Sequence, residues 1–461
     1  MELTREWVAE VVGGRTAGPE PDARFGEGIA FDSRELVSGQ VFVALRDERD
    51  GHDYVVDAHA RGAVFSIVDR EVAGYPTVVV EDVGRALVTL ATAARARLAA
   101  HVVGITGSVG KTSTKDLTAA TLGAGFRTHA APASFNNQIG VPVTVLGAPE
   151  SVEALVVEMG ARFPGNIAEL CAIARPSIGI ITNIGITHAE HLGGPEGVGA
   201  VKGELLDALP ATGLAVISVD CLGSARQRRR SAARMITVGH GSDADVRVSG
   251  VNVGGDLRPR FRLETPWGAG EVTLAVRGAH QAVNAAQAAA VALHLGLPIA
   301  AVLDALARAE STGWRMQLHE SARGVLVLND AYNASPVATI AALDALASLP
   351  ARGRRIAVLG EMRELGALSE PEHARVGEAV AATGVDVLVA VGAATEPLAR
   401  SADPHLDVRR VADADAARAL VTTLVEPGDA VLVKASRAVG LEAVAAALLD
   451  PDRASSEDVV A

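Results

Sequence analysis

Short apolar runs punctuated by glycine, each followed by a longer amphipathic stretch, recur along most of this chain. HVVGITG, ALVVEMG, IGIITNIG and LAVISVD lie in the first half, and VLVLND, RIAVLGEM, VDVLVAVG and DAVLVKASR in the second. Unbroken Val/Ile/Leu runs of this kind fit strands covered on both faces, which is the setting of a parallel sheet. The segments between them, such as EDVGRALVTLATAARARLAA and HQAVNAAQAAAVALHLG, place apolar residues at helical spacing. Strand and helix in alternation predict an α/β protein. A different pattern interrupts the second half of the central region. ADVRVSGVNV, RPRFRLETP and EVTLAVRG alternate apolar and polar positions and read as an antiparallel insertion.

A chain of 461 residues is too long for one ordinary core, and the pattern divides it into three units. Residues 1–98 hold strand-like GQVFVAL and AVFSIV with helix-like YVVDAHARG between them. Residues 99–312 open on the VVGITG strand and predict a mostly parallel sheet, and residues 313–461 form a second parallel α/β unit. In such sheets ligands lie beyond the carboxyl ends of the strands. Gly107, Glu158, Asn183, Asp330, Glu361 and Lys434 all fall at or just after those ends, which predicts a cleft between two units that closes on its ligands. The polar tail from Pro451 is expected to fray.

Composition narrows the function. Half the residues are hydrophobic but only 3% are aromatic, so Ala, Val, Leu and Ile must build the cores. The net charge of −13 argues against nucleic acid or an anionic membrane as partner. No apolar run approaches the roughly 18 residues of a membrane helix, and the charged start MELTREWVAE does not read as a signal peptide. A cytoplasmic protein without membrane insertion is expected. Cys171 and Cys221 lack metal-like spacing and are expected as small buried hydrophobes. The cluster Arg226, Arg228, Arg229 and Arg230 is expected as a solvated face.

Only four of the 42 basic residues are lysines: Lys111, Lys115, Lys202 and Lys434. In so arginine-rich a chain a lysine suggests a position that arginine does not serve. Lys111 belongs to Gly107-Ser108-Val109-Gly110-Lys111-Thr112-Ser113, which follows the apolar run and opens a helix-like segment. Glycines there free backbone N–H groups to point at phosphate, the helix N-terminus favours anions, the ammonium reaches the β/γ-phosphates, and the hydroxyl of Thr112 ligates Mg²⁺. The spacing G-x-x-G-K-T is shorter than the usual phosphate loop. A glycine turn with a surface lysine is the plainer alternative.

Glu158 ends the run ALVVE, placed to hold a Mg²⁺ that Thr112 also contacts; a capping or solvent-facing acid is the alternative. In TNIGITHAEHLGG, His188 is favoured as a ligand near phosphate, and zinc held with His191 has no clear third ligand. Lys202, in VKGEL, reads either as a helix-surface lysine or as a buried amine. Buried, it could lose its proton and react with CO₂ to give a carbamate, an anion able to help hold a second Mg²⁺.

Taken together these segments resemble the Mur ligases over nearly the whole chain. The resemblance rests on DSRELVSGQVFVALRDERDGHDY in the first unit, and on GSVGKTSTK, SFNNQIGVP, EMG, NIGITHAEHLGG, VKGEL and HQAVNAAQA in the second. It continues with WRM, NDAYNASP, LGEMRELG and KASR in the third, Ser335 standing where asparagine is common in the related motif. It implies an N-terminal UDP-sugar-binding domain, a central ATPase domain and a Rossmann-like C-terminal domain. It also implies an ATP-dependent ligase, expected as a monomer, that joins D-alanyl-D-alanine to UDP-N-acetylmuramoyl-tripeptide through an acyl phosphate in peptidoglycan precursor synthesis.

The same resemblance implies residue roles. Lys111 and Thr112 engage ATP phosphates and Mg²⁺, Glu158 one Mg²⁺, His188 a second, and Lys202 is carbamylated. His280 and Asn284 lie near adenine, Arg315 reaches the phosphates and Asp330 the ribose. Ser33, Arg34 and the Asp50-Gly51-His52 turn face the uridine nucleotide, Asn136 and Asn137 the muramoyl-peptide, and Tyr332 and Asn333 the dipeptide. Folylpolyglutamate synthase, a nucleotide-dependent switch and a kinase are the competing readings.

Overall fold

The computed structural model describes residues 1–185, 194–402 and 404–450. Among these residues the chain forms α/β units around three larger sheets, as the alternation of apolar runs and amphipathic stretches predicts.

The first sheet has five strands in the order Arg15–Ala17, Thr77–Val79, Ser66–Val68, Val41–Val43 and Ile29–Ala30, antiparallel only at the first pairing. Helix Val83–Ala96 starts where the Asp82 side chain accepts from the Arg85 backbone N–H, a standard N-cap. Its buried residues Val83, Ala86, Leu87, Leu90, Ala91 and Ala94 follow the helical repeat. That stripe packs on helix Gly140–Gly147 of the central unit, so the first two units share one continuous apolar core.

The central sheet has nine strands. His101–Thr106 lies between Ala154–Glu158 and Ile178–Ile181, parallel to both, and the parallel region continues through Leu214–Ser218 and Arg234–Gly239. The three alternating segments pair antiparallel with one another, as expected, and they continue this sheet. Val246–Val253 pairs parallel with Arg234–Gly239, and Pro259–Thr265 and Gly268–Thr273 follow antiparallel. Their buried positions, Val246, Val248, Phe261, Leu263 and Val272, join the cluster built on helix Gln281–His294. The alanines of that helix keep its axis close to the sheet.

The C-terminal sheet runs Gln317–Glu320, Leu326–Asn329, Ala430–Lys434, Arg355–Gly360, Val387–Val391 and Asp407–Val411. Only its first pair is antiparallel, and apolar clusters cover both faces. Glu158 and Lys434 end their strands, and Gly107, Asp330 and Glu361 follow theirs directly, as the sequence pattern predicts. Both cysteines are buried and unpaired, and burial pushes the Cys171 thiol up to about 12 and the Cys221 thiol up to about 11. No helix among the described residues is long and apolar enough to cross a membrane.

Candidate active site

Strand His101–Thr106 delivers the chain to a tight loop, and helix Lys111–Gly123 leaves it. Gly107 has φ 155°, and a Cβ there would lie 1.9 Å from Thr182 Oγ1. Gly110 has φ 81° and abuts Asn284, so both positions need glycine. The loop is braced from the adjacent strand end. Asn183 Oδ1 accepts from the N–H groups of Ser108 (3.1 Å) and Val109 (2.9 Å), and Thr182 Oγ1 donates to Val109 O at 2.6 Å. Gly185 N donates to Ser108 Oγ at 2.9 Å, and Lys111 Nζ to Gly107 O at 2.9 Å. Enclosure by the loop lowers the Lys111 pKa; Glu158 opposes that shift and Arg315 adds to it.

Glu158 is buried at the end of its strand. Its Oε1 accepts from Ser134 Oγ and Asn136 Nδ2, both at 2.7 Å, while Oε2 is buried without a hydrogen-bond partner. Ser134 also accepts from Thr112 Oγ1 at 3.3 Å and so joins the two expected metal ligands. Asn136 therefore points at Glu158, and Asn137 Oδ1 accepts from Ile139 N and Gly140 N at the start of the next helix. Lys202 lies on helix Gly194–Asp207 with no exposed surface, which removes the helix-surface alternative. Its Nζ has no hydrogen-bond partner, and its pKa falls to about 7, chiefly through burial and further through Lys111. His188, Glu190 and His191 lie outside the described residues. Among the described residues no group of three His, Cys, Asp or Glu side chains converges as a metal cage.

The C-terminal unit reaches this site through one arm. Asp116, on the phosphate-loop helix, accepts from Thr312 N at 2.7 Å and from Thr312 Oγ1 at 3.2 Å. Three residues later Arg315 Nη2 donates to Thr112 Oγ1 at 2.7 Å, and its guanidinium stacks over the Tyr332 ring at 4.0 Å. Asp330 accepts from Met316 N at 3.0 Å and from Lys434 Nζ at 2.6 Å, and Lys434 also donates to Asn333 O at 2.8 Å. Asn284 donates to Gln281, which donates to Ser113 Oγ at 3.3 Å. His280, exposed, precedes the first residue of the same helix. The surrounding protein lowers its pKa, Asp330 opposing and Lys434 adding to the shift.

In the first unit Ser33 is buried, and Arg34 is exposed and bound to Asp32 at 2.7 Å. Asp50 and His52 hold their own turn around Gly51. Asp50 Oδ1 accepts from His52 N at 3.0 Å and lies 2.7 Å from Nδ1, while His52 Nε2 accepts from Asp69 N at 3.1 Å. The His52 N–H and then Arg70 hold the Asp50 carboxyl well below the usual range. Ser134, Asn183, Lys115 and Asp116 are site residues that the sequence reading did not assign. Asn183 gave a signal through its place at a strand end, and Lys115 through the rarity of lysine in this chain.

The Mur ligase middle domain model matches residues 105–292, and the Mur ligase, glutamate ligase domain model residues 314–437. The chain is 40% identical to the UDP-N-acetylmuramoyl-tripeptide–D-alanyl-D-alanine ligase of Mycobacterium tuberculosis (strain H37Rv), covering 99% of each. It superposes on MurF from Acinetobacter baumannii with a TM-score of 0.85 at 28% identity, covering 97% of this chain and 99% of that one. For the ADP complex of MurF ligase from Thermotoga maritima the TM-score is 0.77 at 28% identity, covering 92% and 97%. The fold, the phosphate loop and full-length likeness agree: the chain belongs to the Mur ligase family, in the branch of the UDP-N-acetylmuramoyl-tripeptide–D-alanyl-D-alanine ligases.

Proposed function

We propose that the protein joins D-alanyl-D-alanine to UDP-N-acetylmuramoyl-tripeptide at the expense of ATP, releasing ADP and phosphate. The observation that carries this reading is the meeting of Arg315 with Thr112 across two units, beside the buried Glu158. A carboxylate is a poor electrophile, so amide formation needs activation. Its oxygen attacks the γ-phosphorus of ATP and ADP leaves. The dipeptide amine then attacks the acyl phosphate carbon, and the tetrahedral intermediate expels inorganic phosphate.

The residues divide this work. The N–H groups of the phosphate loop, with Lys111 and Arg315, offset charge on the transferring phosphoryl group. The N–H groups of Ser108 and Val109 go to Asn183 Oδ1 and brace the loop. Magnesium fits the donor set, because Glu158 Oε2 is a buried oxygen without a partner and Thr112 adds a hydroxyl. Thr112, Glu158, His188 and Lys202 as its carbamate would hold two ions. Bound there, Mg²⁺ neutralises phosphate charge and orients the in-line transfer. An unpartnered Lys202 amine supports carbamate formation, in which the nitrogen bonds to CO₂ and loses a proton. His280, Asn284 and Asp330 face the nucleoside. Ser33, Arg34 and the Asp50–His52 turn face the uridine nucleotide and Asn333 the dipeptide, and the loop of Asn136 and Asn137 borders the peptide, with Asn136 itself turned to Glu158. Closing the units over the acyl phosphate keeps water from it.

The test is ADP release with both substrates present and with each omitted, using tripeptide labelled with ¹⁸O in its terminal carboxylate. We expect release only with the complete set, and one label in the phosphate. Activity with glutamate and a folate in place of these substrates, or phosphate free of label, overturns the reading.

A further inference from the structure

Arg315 is a long side chain carrying a charge across a unit boundary, and its placement needs support. Its Nε is buried without a hydrogen-bond partner, its Nη2 goes to Thr112, and among the described residues no carboxylate forms an ion pair with it. What lies against it is the ring of Tyr332, 4.0 Å from the guanidinium carbon. The backbone around both is constrained. Trp314 and Met316, flanking Arg315, adopt φ 59° and 50°, a left-handed conformation that side-chain-bearing residues rarely take. Tyr332 N donates to Trp314 O at 3.2 Å, Asp330 accepts from Met316 N, and the Arg437 guanidinium stacks on the Trp314 ring at 4.3 Å. The loop Asp330–Asn333 therefore grips the arm on both sides of Arg315 and sets a ring beneath its charge.

We propose that Tyr332 is a positioning residue for phosphoryl transfer, its ring carrying the Arg315 guanidinium so that Nη2 faces Thr112 and the phosphate bound beside it. The inference rests on the ATP-dependent reading and moves Tyr332 from the dipeptide contacts to the phosphate side. A flat aromatic face suits this task. It attracts the cation without neutralising it, whereas a carboxylate there would compete with phosphate for the same N–H groups.

The experiment is a double-mutant cycle on the full chain, with Tyr332→Leu and Tyr332→Phe made alone and in the Arg315→Ala background. Thermal melting of each variant accompanies kcat and KM for all three substrates. A stacked, partly desolvated pair predicts a loss of about tenfold in kcat for Tyr332→Leu. KM for the dipeptide should stay within about twofold, and Tyr332→Phe should recover most of the rate, because the ring and not the hydroxyl bears the cation. In the Arg315→Ala background Tyr332→Leu should add little. A loss equally large without Arg315, a Phe variant as poor as Leu, or an effect confined to dipeptide KM overturns the proposal. Should the Leu variant unfold, Tyr332→Gln repeats the comparison with a side chain of similar reach and no ring. The same cycle on affinity for a non-hydrolysable ATP analogue measures the coupling separately. It decides the Tyr332 proposal even if the wild-type protein fails to form the amide.

Discussion

Lys202 has no exposed surface and no partner for its Nζ. Burial, with Lys111 adding and Glu204 opposing, brings it to about 7 from the ordinary 10.5. Guanidinium cannot lose its proton in this way, which accounts for lysine in an arginine-rich chain. The sign of the pH effect follows. Between about pH 7 and 10.5 the unfolded chain holds a proton at this site that the folded chain does not, so stability rises with pH across that window. Below it both states are protonated and the penalty is full and constant. Lys202→Met should therefore melt higher than wild type near pH 7 in CO₂-free buffer, and the gap should narrow toward pH 10. A gap that does not change between those pH values, in thermal scans of the two proteins, contradicts an unpaired buried amine. Lys115 and Lys434 use the ammonium differently. Lys115 Nζ meets Ala131 O at 2.5 Å, Ala133 O at 3.2 Å and Asp116 at 3.0 Å, and Lys434 likewise serves Asp330 and Asn333. A compact cation with three donors fits such acceptor sets, where a planar fork does not.

At the scale of elements, the turn between strand His101–Thr106 and helix Lys111–Gly123 depends on a neighbouring strand end. A Cβ on Gly107 would press into Thr182 Oγ1, which itself donates to Val109 O. Gly107→Ala should lower stability by about 1–3 kcal/mol through backbone strain alone, and should abolish nucleotide binding because Val109 loses its brace. Denaturant unfolding and calorimetric titration with ADP check both; retained ADP affinity would show that the brace is dispensable. This loop was legible in the sequence because strand, glycines, lysine and hydroxyl are contiguous. So were the sheet ends carrying Glu158, Asp330 and Lys434, since apolar runs mark parallel strands. Ser134 and the Asp116–Thr312 bond were not. The latter joins residues 196 positions apart through side-chain atoms, and such pairings leave no periodic trace. The edge strands from Val246 show a similar limit. Alternation told that one face is buried but not which sheet would claim it.

For the molecule as a whole, two kinds of contact join the central and C-terminal units. Near the phosphate loop they are polar: Arg315 to Thr112, just after Thr312 is tied to Asp116 at the end of the central unit, and Arg162 to Glu364 at 3.2 Å. Exposed ion pairs of the last kind contribute about 0–1 kcal/mol and weaken with salt. The other contact is apolar. The turn after Val246–Val253 places Leu257, fully buried and with φ 63°, in the cluster of Leu328, Leu346 and Leu349 from the C-terminal unit. That side chain, with half-buried Val253 packed beside it, works as a plug between two bodies whose fully buried cores are otherwise separate, so it should carry much of their thermal coupling. Leu257→Ala removes buried methyl groups at a site held by backbone strain and should cost about 2–5 kcal/mol. Because the loss falls on the junction, scanning calorimetry should resolve two transitions, one for the C-terminal unit and one for the first two units, whose shared core through helix Val83–Ala96 keeps them together. Arg162→Ala should leave the melting profile nearly unchanged. A Leu257→Ala protein that still melts in one transition, merely at lower temperature, would place the coupling in the polar contacts of the arm.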